Sequence, residues 1–221
     1  MSVRRKALPS MVSERHPRYG AGNRVSKYMS EDEFVAWAFE AENIRAEWVN
    51  GEVIVMPPDN TQHNDVCGLV YLLFRLFVAR KTLGRVFIEA IQIRLPKVVS
   101  RRQPDLIFVS RQNLHKVKDT YIDGVPDLAL EVVSPDSITR DYKEKFAEYE
   151  LAGIPELWFI DPLGRSFSAY SLNAAGKYER IPEKRGKIES RVLPGFFLRI
   201  EWLWKSQEMD PLTLLKKMGI K

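Results

Sequence analysis

The sequence predicts an α/β domain with a mixed central β-sheet flanked by helices. Three observations carry this: segments of helical and strand periodicity alternate along the chain, the strands split into hairpin-linked and helix-linked ones, and turn residues punctuate them at short intervals. At 221 residues and 45% hydrophobic, the chain has material for one sizeable core.

Taken in order, residues 1–27 read as a basic, flexible N-terminal arm. The first thirty residues carry seven Lys or Arg against one acid, a net of +6, which leaves the other 191 residues at −1. Lacking hydrophobic periodicity, the arm reads as a solvated tail, with a phosphate-touching arm and an organelle-targeting peptide as alternatives. Residues 28–205 read as a single domain. "SEDE" at 30–33 has capping-box spacing and opens a short amphipathic helix, and "RAEWVNGEVIVMP" carries Asn50-Gly51 between two β-prone runs, a hairpin signal. From Thr61 to Lys81 the apolar residues follow helical spacing, with Gly84 as a stop. Strands follow at 85–95, 104–109 and 127–133. A helix over 137–152 ends at Gly153 and Pro155, and a strand covers 156–161. "SFSAYSL", "GKYERI" and "ESRVLPGFFLRI" read as short antiparallel strands; residues 206–221 form a C-terminal tail whose "PLTLLKKMG" has helical character.

Composition excludes several classes. One cysteine, Cys67, rules out an internal disulfide and a multi-cysteine zinc site, and points to a reducing, cytoplasmic setting. Three scattered histidines, His16, His63 and His115, argue against a histidine-rich metal centre. The longest apolar stretch, Val66 to Ala79, is interrupted by Arg75 and falls short of a membrane span, so no membrane association is expected. Nucleotide-cofactor enzymes are excluded by the lack of a glycine-rich phosphate loop.

The chemistry gathers around two carboxylates. Glu131 lies inside the apolar run "DLALEVV", where a charge needs a partner or an ion. Strand alternation puts Asp105, Ile107 and Val109 on one face and Asp127, Ala129, Glu131 and Val133 on one face of the later strand. If those strands are neighbours, Asp105 and Glu131 oppose each other, and two carboxylates so close favour a divalent cation between them. In "DYKEKFAEY" the helical wheel sets Lys145 at the border of the sheet-facing stripe and turns Lys143 outward. Lys145 could thus sit beside the carboxylates; an Asp141–Lys145 surface pair is the alternative.

"QPDLIFV", "LALEVVSPDS" and "DYKEKFAEYELAGIPELWFIDP", with the upstream "EWVNGEVIVMPPDNTQHNDV", resemble the bacterial Uma-two family, restriction-endonuclease-like proteins of the PD-(D/E)XK superfamily. The resemblance runs from about Tyr28 to Phe197. It implies a restriction-endonuclease-like core, an endonuclease activity using Mg²⁺ or Mn²⁺, and Asp105, Glu131 and the Val132 carbonyl as metal ligands. The superfamily's lysine two residues after the acid is replaced here by Val133; the group shows a helix-borne lysine instead, matching Lys145. Glu47 matches an acidic hairpin position that binds or orients a second metal or water, with a plain exposed charge as the alternative. His63 matches a histidine at the start of the long helix.

Three functions follow for comparison: a metal-dependent phosphodiesterase acting on nucleic acid, DNA first; a non-catalytic nucleic-acid or protein-binding module on the same fold; and an enzyme acting on a small phosphate ester. Arg94, Lys97, Arg101 and Arg102 in "RLPKVVSRRQPD" read as a backbone-contacting patch or a solvated loop, with His63 a further nucleic-acid contact. The aromatic stretch "LPGFFLRIEWLW" reads as core, or as a homodimer interface.

Overall fold

The computed structural model describes residues 24–41, 44–89, 91–133 and 140–220. The arm up to residue 23 and the predicted helix start at 137–139 lie outside the described residues. Residues 24–27, counted with the arm on composition, form with Tyr28 strand β1 (Arg24–Tyr28), which pairs antiparallel with a hairpin strand.

Helix α1 (Glu31–Glu40) starts at the predicted capping box: Ser30 accepts from the Glu33 amide, and Glu33 accepts from the Ser30 amide at 2.8 Å. Strands β2 (Ala46–Val49) and β3 (Glu52–Val55) form the predicted hairpin. Asn50 (φ 49°) and Gly51 (φ 93°) both take the left-handed conformation that a two-residue hairpin turn demands. Helix α2 (Thr61–Arg80) is capped by Asn60, which accepts from the His63 amide. Its stripe from Val66 to Val78 is buried.

The run 85–95, expected as one strand, divides into β4 (Gly84–Ile88) and β5 (Gln92–Leu95), which belong to different sheets. The chain turns between them at Glu89, whose φ is 38°. Gly84 does not stop α2; it opens β4, where a Cβ would stand 2.1 Å from the Val109 carbonyl oxygen. Close approach of β4 to β7 (Leu106–Ser110) therefore requires glycine there. Strand β6 (Ser100–Arg102), read from sequence as loop, pairs with β2 and β5, while β8 (Tyr121–Asp123) pairs with β5.

The central sheet is mixed, as predicted, with strand order β12-β11-β10-β9-β7-β4. Here β9 is Leu128–Val132, β10 Glu156–Asp161, β11 Ser166–Leu172 and β12 Tyr178–Arg180. Only β9 and β10 run parallel, and the crossover between them contains α3 (Phe146–Ala152), ended by Gly153 at φ 94°. A second six-stranded sheet, β1-β3-β2-β6-β5-β8, was not expected as a separate layer. Strands β13 (Lys187–Glu189) and β14 (Phe197–Arg199) make a small hairpin.

Alternation along β7 and β9 sorts two cores. Leu106, Phe108, Leu128 and Leu130 meet α2 and the C-terminal segment on one face. Ile107, Val109 and Ala129 meet Ile93, Ile122 and Tyr149 on the other. The aromatic stretch is core: Leu193, Phe196, Leu198, Trp202 and Leu203 are buried within the chain's own fold, which removes the ground for a dimer interface there. The tail contributes α4 (Pro211–Lys217), whose Leu214 and Leu215 join the same core. Among the described residues no helix is long and apolar enough to cross a membrane.

Candidate active site

The register Leu106↔Leu130 places Asp105 opposite Glu131 at one end of the β7–β9 ladder, and the two residues are only 5% and 2% exposed. Strand alternation sets the two opposite each other if their strands are neighbours, and β7 and β9 are neighbours. Asp105 accepts from the Val132 amide at 2.7 Å through Oδ2. Its Oδ1 stands 3.3 Å from His63 Nε2 and 3.5 Å from Arg45 Nη2. Burial pushes the Asp105 pKa up, but His63, the Lys145 charge and the Val132 amide outweigh it and hold the carboxyl below its ordinary value.

Glu131 is met by two side chains from the crossover. Lys145 Nζ lies 2.7 Å from Oε2, and the Tyr149 hydroxyl donates to Oε1 at 2.8 Å. Residues 140–145 form a π-type turn that runs into α3, so Lys145 and Tyr149 end up one turn apart on the same buried side. Lys145 is 1% exposed, which excludes the surface-pair alternative. Burial, then the charges of Glu131 and Glu47, drive the Tyr149 hydroxyl far above its usual range, keeping it a donor.

The expected ion is therefore not needed to explain why Glu131 is buried, because Lys145 already compensates it. The network continues. Lys145 Nζ is 3.2 Å from Glu47 Oε1, and Glu47, fully buried rather than an exposed hairpin charge, accepts from the Gln103 amide at 3.0 Å and from Arg102 at 2.9 Å. Arg102 in turn grips Glu148 through Nε and Nη2. Such a chain is stable only when every charge in it is paired.

Two arginines are therefore corrected, and a third, Arg94, is found in ion pairs with its side chain 35% exposed. Arg102 is 1% exposed and its guanidinium is held by Glu47 and Glu148, so it is not a backbone-contacting surface group. Arg101 is buried, bonded to Glu31 at 2.8 Å and stacked on Tyr121. Arg94 holds Glu31 at 2.6 Å and Asp123 at 3.3 Å. Pairing of β5 with β6 sets Arg94 beside Arg101, and both meet Glu31 in the acidic first turn of α1. Val133, which stands where the resemblance would have a lysine, is buried among apolar side chains. Asp127 accepts from the Ser110 amide at 2.7 Å and Asn113 at 2.8 Å, a structural role at the start of β9.

His63 is 4% exposed and sits beside Asp105 rather than at the surface. Its neighbours Arg45, Asp59 and Glu89 escaped the sequence reading, as did Tyr149 and Glu148. Only the i,i+4 spacing of Asp59 and His63 offered a local signal.

The donors present fit a hard divalent ion. Asp105 and Glu131 supply carboxylate oxygens with lone pairs beyond their present bonds. Because a residue's N–H and C=O leave an extended strand on one side, the Val132 carbonyl projects to the side of Asp105. An all-oxygen set of this kind suits Mg²⁺ or Mn²⁺.

Among solved structures, the chain is similar to one from Anabaena variabilis described as "a putative nuclease belonging to DUF820", with a TM-score of 0.66 and 17% identity over 80% of this chain and 98% of that one. That likeness establishes the fold. No curated protein matches the chain. The profile of the family Uma2, described as "Putative restriction endonuclease", matches residues 31–201. The chain belongs to the Uma2 family.

Proposed function

We propose that the protein is a metal-dependent endonuclease that hydrolyses phosphodiester bonds in nucleic acid, with DNA as substrate and Mg²⁺ or Mn²⁺ as cofactor. The observation that carries this reading is the pairing of two buried carboxylates, Asp105 and Glu131, across adjacent strands with the Lys145 amine bonded to one of them. The family description and the fold support it. When bound, the cation polarises the scissile phosphate and lowers the pKa of the attacking water. Asp105, Glu131 and the Val132 carbonyl would hold the cation. Lys145 neutralises charge that gathers on the phosphate in the transition state. Glu47 and Tyr149 are positioning residues, the first fixing the amine and the second the Glu131 rotamer. The basic arm supplies phosphate contacts that the paired arginines do not, and the lone Cys67 accords with a cytoplasmic location.

The test is conversion of supercoiled plasmid to nicked and linear forms with Mg²⁺ or Mn²⁺. Wild type cuts; Asp105→Ala, Glu131→Ala and Lys145→Ala, each checked for folding, do not. Activity in Asp105→Ala at the wild-type level refutes the assignment.

A second reading, a non-catalytic module binding nucleic acid or protein, is favoured by one observation: in the Glu131–Lys145–Glu47–Arg102–Glu148 chain each carboxylate already has a cationic partner without an ion. DNA binding without cleavage, together with a calorimetric heat of Mn²⁺ binding that is absent or unchanged in Glu131→Gln, would establish that alternative.

A further inference from the structure

His63 poses a question the proposed centre leaves unanswered. The ring is 4% exposed, yet among the described residues neither of its nitrogens has a hydrogen-bond partner. Nε2 stands 3.3 Å from Asp105 Oδ1 and 3.7 Å from Asp59 Oδ1, close enough for charge attraction but not aligned for a hydrogen bond. A buried imidazole left in this way needs an explanation, and an ion is one of the few on offer.

The surroundings narrow that explanation. Asp59 and Glu89 reach towards His63 from the rim, and one ligand atom from each of the three lies within 4.8 Å of the others. Three different local structures deliver them. Asp59 precedes the Asn60 cap, His63 lies in the first turn of α2, and Glu89 ends β4 in a left-handed conformation that costs a non-glycine residue roughly 1–2 kcal/mol. The Glu89 amide is tied to the Asp105 carbonyl at 3.1 Å, which fixes the group beside the proposed hydrolytic centre.

Charge points the same way. Asp59, Glu89 and Asp105 are answered locally by Arg45, whose guanidinium bonds Asp59 and stands 3.5 Å from Asp105. With the imidazole deprotonated, as ligation to a metal requires, three acids against one guanidinium leave a net of −2, and a cation would take the place of the charge attraction that His63 now makes with Asp105 and Asp59. Cys67 is the other possible neighbour, within reach of His63 and Asp105. Its soft sulfur suits Mn²⁺ less well than the two rim carboxylates do.

We infer that Asp59, His63 and Glu89 form a second cation site, next to the Asp105–Glu131 centre, that takes a first-row divalent transition ion. One imidazole with two carboxylates selects such an ion over Mg²⁺, which favours oxygen donors alone. The site is separate from the Glu131 ligand set and does not depend on the chain being a nuclease.

The probe is Mn²⁺ alone, added to the full chain and followed by electron paramagnetic resonance, with pulsed detection of nitrogen coupling. The wild type is expected to bind Mn²⁺ with a ¹⁴N modulation from a directly bound imidazole. His63→Gln should lose that modulation and weaken binding by about tenfold or more. Glu89→Gln, a rim change that leaves the helix core untouched, should weaken binding while keeping the modulation, which guards against misfolding of the His63 variant. Glu131→Gln removes a ligand of the hydrolytic centre but should leave the nitrogen-coupled signal intact, so the two sites can fail separately. Bound Mn²⁺ without nitrogen coupling, no bound Mn²⁺, or unchanged affinity in His63→Gln would each overturn the inference.

Discussion

Replacing Lys145 with methionine keeps most of the side chain's volume and removes only the ammonium. That ammonium lies 2.7 Å from Glu131 and 3.2 Å from Glu47 and is 1% exposed, so its loss leaves two buried carboxylates facing each other. Breaking a buried pair by deleting one partner costs about 3–5 kcal/mol, a large share of the ~5–15 kcal/mol that holds a domain folded. For a chain of this size each kcal/mol shifts the melting temperature by ~2–4 °C, so a fall of roughly 6–20 °C is expected. Glu131→Gln alone should also destabilise, by exchanging one of the carboxylates that hold Lys145 for an amide. The double variant Lys145→Met/Glu131→Gln should recover part of the combined loss, with a coupling energy of about 2 kcal/mol. Urea titration read by the fluorescence of buried Trp158 and Trp202 measures all four corners. Additivity within ~0.5 kcal/mol would refute the account of Glu131 as compensated by Lys145.

Other substitutions test the scaffold. Gly84→Ala forces a Cβ to 2.1 Å from the Val109 carbonyl oxygen, so β4 must separate from β7, and a loss above ~2 kcal/mol is expected in the same titration. Asp127→Ala strands the Ser110 amide and Asn113, which should cost about 1.5–3 kcal/mol while plasmid cleavage by the folded fraction stays unchanged. Glu31 is held below its ordinary pKa first by the hydrogen bond from Arg94 and also by Arg101. A depressed carboxyl contributes stability that is present above its unfolded pKa and lost as pH falls through the folded one. Glu31→Gln should therefore lower stability near neutrality and flatten its decline on acidification, seen as converging melting temperatures at low pH.

Much of the site was readable because local rules govern it. Period-two alternation placed Asp105 and Glu131 on matching faces, and their strands proved to be neighbours. Asn50-Gly51, the Ser30–Glu33 box and Gly153 fixed turns and ends through their own backbone preferences. The separate second sheet was not readable, because it depends on β6 pairing with β2 about fifty residues away, and nothing local distinguishes a strand that finds such a partner from a loop. The arginines were misread for the same reason. Arg102 looks solvated beside Ser100 and Gln103, but its partners Glu47 and Glu148 come from opposite directions along the chain. The break at Glu89 hid inside an unbroken β-prone run, since its left-handed backbone leaves no trace in side-chain periodicity.

The most direct test of the whole account is anomalous diffraction from crystals grown with Mn²⁺ and a short DNA duplex. A peak coordinated by Asp105, Glu131 and the Val132 carbonyl, with Lys145 turned towards a phosphate, is the predicted result. Glu131 still bonded to Lys145 and Tyr149, with no anomalous density between it and Asp105, would contradict it.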